Sequence, residues 1–463
     1  MTDLYQLTMM AADHYAGRGD KVSTFDLFVR RLPAQRNYLV ACGLEEAVGY
    51  LGGLRFTGQQ IGYLRSLPEF ADKPEFLERL GSLGFTGDLW AAREGTPVFG
   101  NEPMLTVRAP LLEAQLVETH LLTLMGSRTM FAAKAARIVE ATAPMSAMEF
   151  GTRRSHDPEA AIACARSAYI AGFVGTSNVE AGMRYGIPIT GTMAHSFIMG
   201  FGTGTKNGID PELEAFRAYA KAFPRKTVLL VDTYDTIEGT KKAIIVAKEM
   251  EASGERLFGI RIDSADLAKD SAAARDLLDS AGLKYVNIVL SNDLDEEKIA
   301  VLKANDARFN SVGVGTMVAT SCDAPNLGVV YKLAEQEENG MMTPRIKSSE
   351  GKVTLPGLKQ VYRYADKNGG IDHDEICLAA EPAPWATPLL QKVMEKGKLV
   401  SELPTLEEIR GYAREQRARL PETVRDNAQH QNLEVRISPR LDALKNELLA
   451  AVRGSPRRTA IMG

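Results

Sequence analysis

Histidine and cysteine are scarce in this chain, six and four residues among 463. The cysteines, Cys42, Cys164, Cys322 and Cys377, stand far apart and form no C-x-x-C pair. That removes a zinc knuckle or a thioredoxin-like redox centre and reads as free thiols in a reducing compartment. H-E-x-x-H and G-x-S-x-G are both absent, so neither a zincin nor an α/β-hydrolase is indicated. The P-loop pattern G-x-x-x-x-G-K-[ST] and the Rossmann fingerprint G-x-G-x-x-G are missing as well. No apolar run reaches the ~18 residues of a membrane span. The opening MTDLYQLTMMAADHY lacks the basic-then-apolar order of a signal peptide, so the chain reads as cytoplasmic, with no membrane partner. Positive charge is not in excess either. The formal net charge is −4, which disfavours a nucleic-acid partner.

What is present is an ordinary globular balance, 45% hydrophobic and 25% charged, enough to bury a large core. At about 150 residues per domain the length suggests roughly three domains. The first part reads as mixed α+β, with strand-like Phe25–Val29 and Pro103–Val107 and a helical Leu111–Met125. From about Pro144 the pattern becomes a steady alternation. Strands are expected at Met145–Phe150, Gly172–Gly175, Ile187–Gly191, Thr227–Val231, Leu257–Ile262, Val286–Leu290 and Asn310–Val314. Helices between them are expected at Asp157–Ala171, Asp210–Phe223, Thr236–Glu251, Ala265–Ala281 and Asp295–Asn305. This order predicts parallel strands with crossover helices, as an open sheet or a closed barrel. Val329–Tyr364 returns to strand-and-turn character, and Leu406–Ala418 and Leu441–Val452 are amphipathic.

Candidate chemistry collects where those strands end. Arg153, Ser177, Thr192, His195, Asp232, Asp263, Ser291, Asn292, Gly315 and Thr316 all follow a predicted strand, and Arg261 lies inside one. In an α/β barrel these positions converge on the face where active sites are built. One polar strand end means little, because such residues often cap helices. Seven in succession point to a site. Arg153 and Arg261 suit carboxylate or phosphate groups. Gly313 and Gly315 let backbone N–H groups approach phosphate oxygens, and Thr316 adds a hydroxyl. Asp232 and Asp263 suit Mg²⁺ or a ribose hydroxyl, with helix capping as the plainer alternative. His195 stands among small polar neighbours, although a lone histidine is more often structural.

Seven long motifs carry a resemblance. They are TDLYQLTM (Thr2–Met9), EFGTRRSHDPEAA (Glu149–Ala161), GFVGTSNVEAG (Gly172–Gly182), GTMAHSF (Gly191–Phe197), VDTYDT (Val231–Thr236), GIRIDSADL (Gly259–Leu267) and VGVGT (Val312–Thr316). From Thr2 to about Arg440 the chain resembles the nicotinate phosphoribosyltransferase family. The fold this implies is α/β: the irregular α/β barrel of type II phosphoribosyltransferases, an α+β sandwich-like domain and a helical C-terminal region. The expected division is an N-terminal domain over 1–125 that 334–385 rejoins, a catalytic barrel over 126–333 and helices over 386–463.

The activity implied is transfer of a 5-phosphoribosyl group from phosphoribosyl pyrophosphate to nicotinate, giving nicotinate mononucleotide and pyrophosphate in NAD salvage. Mg²⁺ is the implied cofactor. ATP is the implied co-substrate, hydrolysed through a phosphohistidine at His195. By the same resemblance Asp232 and Asp263 are catalytic and metal-binding. Phe150, Arg153, Ser177, Thr192 and Arg261 meet nicotinate, together with Tyr5 from the other subunit of a homodimer. Ser291, Asn292, Gly313, Gly315 and Thr316 cradle the phosphoribosyl group. Arg30, Arg31 and Lys347 are looser phosphate contacts from the partner. Sister nicotinamide enzymes carry an acidic residue at the position of Ser177, so a serine there favours the acid substrate.

Overall fold

Short polar side chains set the phase of the central region. Asp157, Asn178, Asp210, Asp235, Asp266 and Asp295 each accept a hydrogen bond from a backbone N–H in the first turn of the helix that follows. Such a cap contributes about 1 kcal/mol. Pro158 and Pro211 open two of these helices, where a missing N–H is no loss. The computed structural model describes residues 1–204, 208–263 and 266–454. Ser264 and Ala265, within GIRIDSADL and at the start of one expected helix, lie outside the described residues. The chain divides into two compact units: Met1–Met130 with the chain from Asn326 onward, and Phe131–Pro325.

In the second unit five of the seven expected strands form, at Ser146–Glu149, Val228–Leu230, Gly259–Ile262, Asn287–Leu290 and Ser311–Val314, while Gly172–Gly175 and Ile187–Gly191 are not strands. The five are parallel, in the spatial order Val228–Leu230, Gly259–Ile262, Asn287–Leu290, Ser311–Val314, Ser146–Glu149. Two parallel bridges extend the ladder from Glu149 to Thr176 and from Thr176 to Ile189. Crossover helices cover the strands, and Ile260, Ile262, Ile288, Leu290, Val312 and Val314 are all fully buried.

Laid flat, seven segments about 4.8 Å apart would separate the outer two by about 29 Å. Here His195, beyond Ile189, places Nδ1 3.1 Å from Oγ1 of Thr233, beyond Val228–Leu230. Arg261 likewise reaches Oγ1 of Thr192 at 3.2 Å. The two ends of the ladder therefore meet, and the sheet curls into an irregular barrel. Among the described residues no backbone ladder pairs the two edges, so side chains bridge the seam.

The first unit is built on an antiparallel seven-stranded sheet. Its order is Met341–Pro344, Val329–Glu338, Val22–Val29, Pro103–Pro110, Asp88–Ala92, Leu390–Glu395, Lys398–Leu399. A four-stranded sheet combines Thr387–Pro388, Lys359–Ala365, Ile371–Leu378 and Glu434–Ile437. Buried Asp26 pairs with buried Lys359 at 2.7 Å and accepts the Thr106 hydroxyl. Leu7, Met10 and Ala11 of helix Leu4–Tyr15 pack on Phe76, Leu80, Leu112 and Leu116.

Helix Glu118–Thr142 runs through the expected boundary at 125/126. Gly126 does not break it, and a β-carbon there would come within 3.2 Å of Val329, so the glycine marks a close approach. One expectation is corrected: 386–463 is not only helical. Leu390–Glu395 turns back through Gly397, at φ 74°, onto Lys398–Leu399 and pairs with Asp88–Ala92, while Glu434–Ile437 joins Ile371–Leu378. Its Lys and Glu residues sit on a sheet-edge hairpin, a composition that an exposed helix shares.

Candidate active site

Arg261 is the hub of the barrel mouth. It is the third residue of Gly259–Ile262, and its side chain is 16% exposed. Its Nε donates to Oγ of Ser291 at 2.8 Å, and Nη1 donates to Oγ1 of Thr192. Its Nη2 pairs with Oδ1 of Asp263 at 3.0 Å. The guanidinium lies 5.8 Å from the Phe150 ring centroid, within cation–π reach. Ser291 donates its hydroxyl to Oδ1 of Asp263 at 2.6 Å. The backbone N–H of Asp263 donates to Oδ2 of buried Asp232 at 2.9 Å. His195 faces the same group, with Nε2 3.7 Å from Oδ2 of Asp263 and Nδ1 on Thr233. Thr192, His195, Asp232, Arg261, Asp263, Ser291 and Phe150 are thus brought together from the ends of five segments of the ladder.

The loop after Ser311–Val314 forms the adjoining wall. The Phe150 ring lies against Gly313 so closely that a β-carbon there would run into it. The Thr316 hydroxyl donates to Oδ1 of Asp293 at 2.9 Å. Asn292 and Asp293 hold φ of 111° and 42°, left-handed values that non-glycine residues adopt at a cost. These two residues turn the loop after Asn287–Leu290, and Asp293 reaches Thr316.

Beneath the mouth lies Glu149, 1% exposed. Its carboxylate accepts the Gly151 N–H and the Thr176 hydroxyl, and its carbonyl accepts the Ser177 N–H at 2.9 Å. Burial pushes this carboxyl above its ordinary range, against the pull of those two donors. Glu149 therefore ties the turn bearing Phe150 and Arg153 to the one bearing half-buried Ser177. Arg153 is exposed in the short helical turn Thr152–Arg154.

Sequence reasoning assigned no role to Glu149, Thr233 or Asp293. A carboxylate inside a buried strand was the available signal for Glu149. Thr233 and Asp293 stand among the polar residues that follow predicted strands, but their partners are read only from contacts.

The remaining candidates belong to the first unit. Tyr5 is in the first turn of Leu4–Tyr15 and 48% exposed. Arg30 and Arg31 line a cavity of about 340 Å³ with Arg36 and His430. Lys347 is exposed. Burial pushes Lys332 below its ordinary range, with Glu118 opposing the shift and Lys347 and Arg30 adding to it. Among the described residues no group of three or more His, Cys, Asp or Glu side chains could hold a metal ion alone. Among the described residues no helix is long and apolar enough to cross a membrane.

Comparison with known proteins agrees with this geometry. Residues 1–126 match the nicotinate phosphoribosyltransferase N-terminal domain, 145–350 the nicotinate phosphoribosyltransferase family proper and 384–445 its C-terminal domain. A nicotinate phosphoribosyltransferase of Mycobacterium tuberculosis is 43% identical over 427 residues, 92% of this chain and 88% of the relative. One from Bacillus subtilis is 40% identical, covering 89% of this chain and 87% of its own length. The crystal structure of human nicotinic acid phosphoribosyltransferase superposes with a TM-score of 0.85 at 31% identity, over 97% of this chain and 100% of that one.

Proposed function

The chain belongs to the nicotinate phosphoribosyltransferase family, and from that premise we propose that its barrel mouth joins nicotinate to phosphoribosyl pyrophosphate, giving nicotinate mononucleotide and pyrophosphate for NAD synthesis. The observation that carries this is the Arg261 hub, a guanidinium with an aromatic face on one side and the Asp263–Asp232 pair on the other. Phe150 offers a stacking surface to the pyridine ring. Arg261 and Arg153 supply positive charge for its carboxylate. Ser177 leaves that carboxylate unopposed, where an acidic side chain would repel it.

The ring nitrogen of nicotinate carries its own lone pair, so the attack on the anomeric carbon needs no general base. The C–O bond to pyrophosphate breaks as the C–N bond forms, and positive charge builds on the ribose. Asp232 and Asp263 are placed to stabilise it. Gly313, Gly315 and Thr316, with Ser291 and Asn292, present N–H and hydroxyl groups suited to the 5-phosphate. Two adjacent carboxylates beside a pyrophosphate are a fitting donor set for Mg²⁺, which takes one or two carboxylates together with substrate phosphates. Asp232 and Asp263 would hold it, and when bound it neutralises charge on the leaving group.

ATP enters through His195. The histidine Nδ1 lies 3.1 Å from the Thr233 hydroxyl and its Nε2 3.7 Å from Asp263, and we assign the attack to Nδ1. Attack of Nδ1 on the γ-phosphorus breaks the P–O bond to ADP and makes the phosphohistidine, which water later hydrolyses. We assign Tyr5 to the site of a second copy in a homodimer, with Arg30, Arg31 and Lys347 as phosphate contacts from that copy. The exposure of Tyr5 and the cavity lined by Arg30, Arg31 and Arg36 support this. Three buried cysteines and an exposed, free Cys322 suit a reducing cytoplasm. Product analysis with nicotinate and nicotinamide, with and without ATP, tests the whole reading.

A further inference from the structure

A cavity of about 130 Å³ in the first unit is lined by Arg93, Arg363, Tyr412, Gln416 and Arg419 among others. One water needs only ~10–15 Å³ of such space. No residue of the barrel contributes to it. Arg363, 3% exposed, holds the Asp374 carboxylate through Nε and Nη2 at 2.9 and 2.6 Å. Its Nη1 is buried with no partner among the described residues, and so is Nε of Arg93. The Arg93 guanidinium lies 4.3 Å over the Tyr412 ring. Tyr412, Gln416 and Arg419 are spaced four and three residues apart along helix Leu406–Ala418 and its C-cap, so they share a face.

No carboxylate is among the residues that line the cavity. Asp374 is matched by Arg363. Beside it, burial and Asp374 push the Glu102 carboxyl above its ordinary range, with Arg363 opposing them. Glu408, near Arg93, accepts the Thr405 N–H at 2.7 Å, which holds its carboxyl below the ordinary range. Unpaired buried donors on charged groups are costly, and an acceptor that met both at once would remove that cost.

We propose that this cavity binds a small tetrahedral oxyanion of the phosphate type, held by Arg93, Arg363 and Arg419. The test is equilibrium dialysis of the full chain against radiolabelled orthophosphate at constant ionic strength. Arg363 is left intact, because its loss would strand Asp374. Arg93→Gln and, separately, Arg419→Gln should each weaken binding at this site at least tenfold, while Arg93→Lys recovers part of it. Arg261→Gln, which alters the barrel mouth, should keep one equivalent bound with unchanged affinity. Equal binding by wild type and both glutamine variants overturns the proposal. So does loss of all binding in Arg261→Gln, or no binding by the wild type.

Discussion

The Phe150 ring covers Gly313 so closely that a β-carbon on the glycine would overlap two ring carbons. In the site we propose, the glycine therefore serves the aromatic wall beside nicotinate as well as the phosphate cradle. Gly313→Ala keeps the backbone N–H but displaces the ring. Aromatic packing contributes about 0.5–1.5 kcal/mol beyond buried area, so KM for nicotinate should rise roughly two- to tenfold, with a smaller change for phosphoribosyl pyrophosphate. Equal rises in both would assign the glycine to the cradle alone.

His195→Ala should abolish nicotinate-dependent ATP hydrolysis and the acid-labile label transferred from [γ-³²P]ATP. Slow ATP-independent synthesis should persist, because Arg261, Asp232 and the phosphate loop are untouched. Undiminished ATP stimulation in the variant would remove the phosphohistidine assignment.

Tyr5 is exposed, so Tyr5→Ala should leave the unfolding midpoint unchanged while raising KM for nicotinate. Mixing Tyr5→Ala with Arg261→Ala should restore activity, because a mixed dimer contains one site with both residues intact. Failure of the mixture to regain activity under conditions of subunit exchange would place Tyr5 outside the shared site.

Glu296 anchors the second unit. It is 3% exposed and meets Lys134 at 2.6 Å and Arg137 at 2.7 Å. Burial alone would raise its pKa, but the two cations outweigh burial and hold it below the ordinary value. A lowered native pKa contributes stability that is complete above the ordinary carboxylate value of about 4.3 and is lost as pH falls through the native one. Glu296→Ala removes the carboxylate that Lys134 and Arg137 share, while Lys134 keeps Asp323 at 2.9 Å, so the loss should be up to about 3 kcal/mol at neutral pH. Urea midpoints between pH 3 and 7 should show that loss shrinking toward acid. A pH-independent difference would contradict the ion-pair account.

The sequence made local chemistry legible. Asp157, Asp210, Asp235 and Asp295 announce their helices because a cap needs only the next three residues. The polar strand ends could be read because each follows an apolar run directly. What could not be read depends on distant partners. Thr233 matters through His195, 38 residues away, across a seam that no local pattern marks. Asp293 matters through Thr316 and a left-handed backbone. Glu149 stood in plain view as a carboxylate in an apolar strand, but its two donors come from separate turns. The hairpin at 390–399 read as helix because edge strands and exposed helices draw on the same charged residues.

Product formation from phosphoribosyl pyrophosphate and Mg²⁺ with nicotinate or nicotinamide, in wild type and Ser177→Asp, tests the central claim most directly. Wild type should form nicotinate mononucleotide and pyrophosphate in equal amounts and prefer nicotinate. In Ser177→Asp two like charges about 4 Å apart should cost nicotinate roughly 1–4 kcal/mol, with nicotinamide penalised less. A wild type that prefers nicotinamide, or forms no nucleotide from either base, would contradict the account.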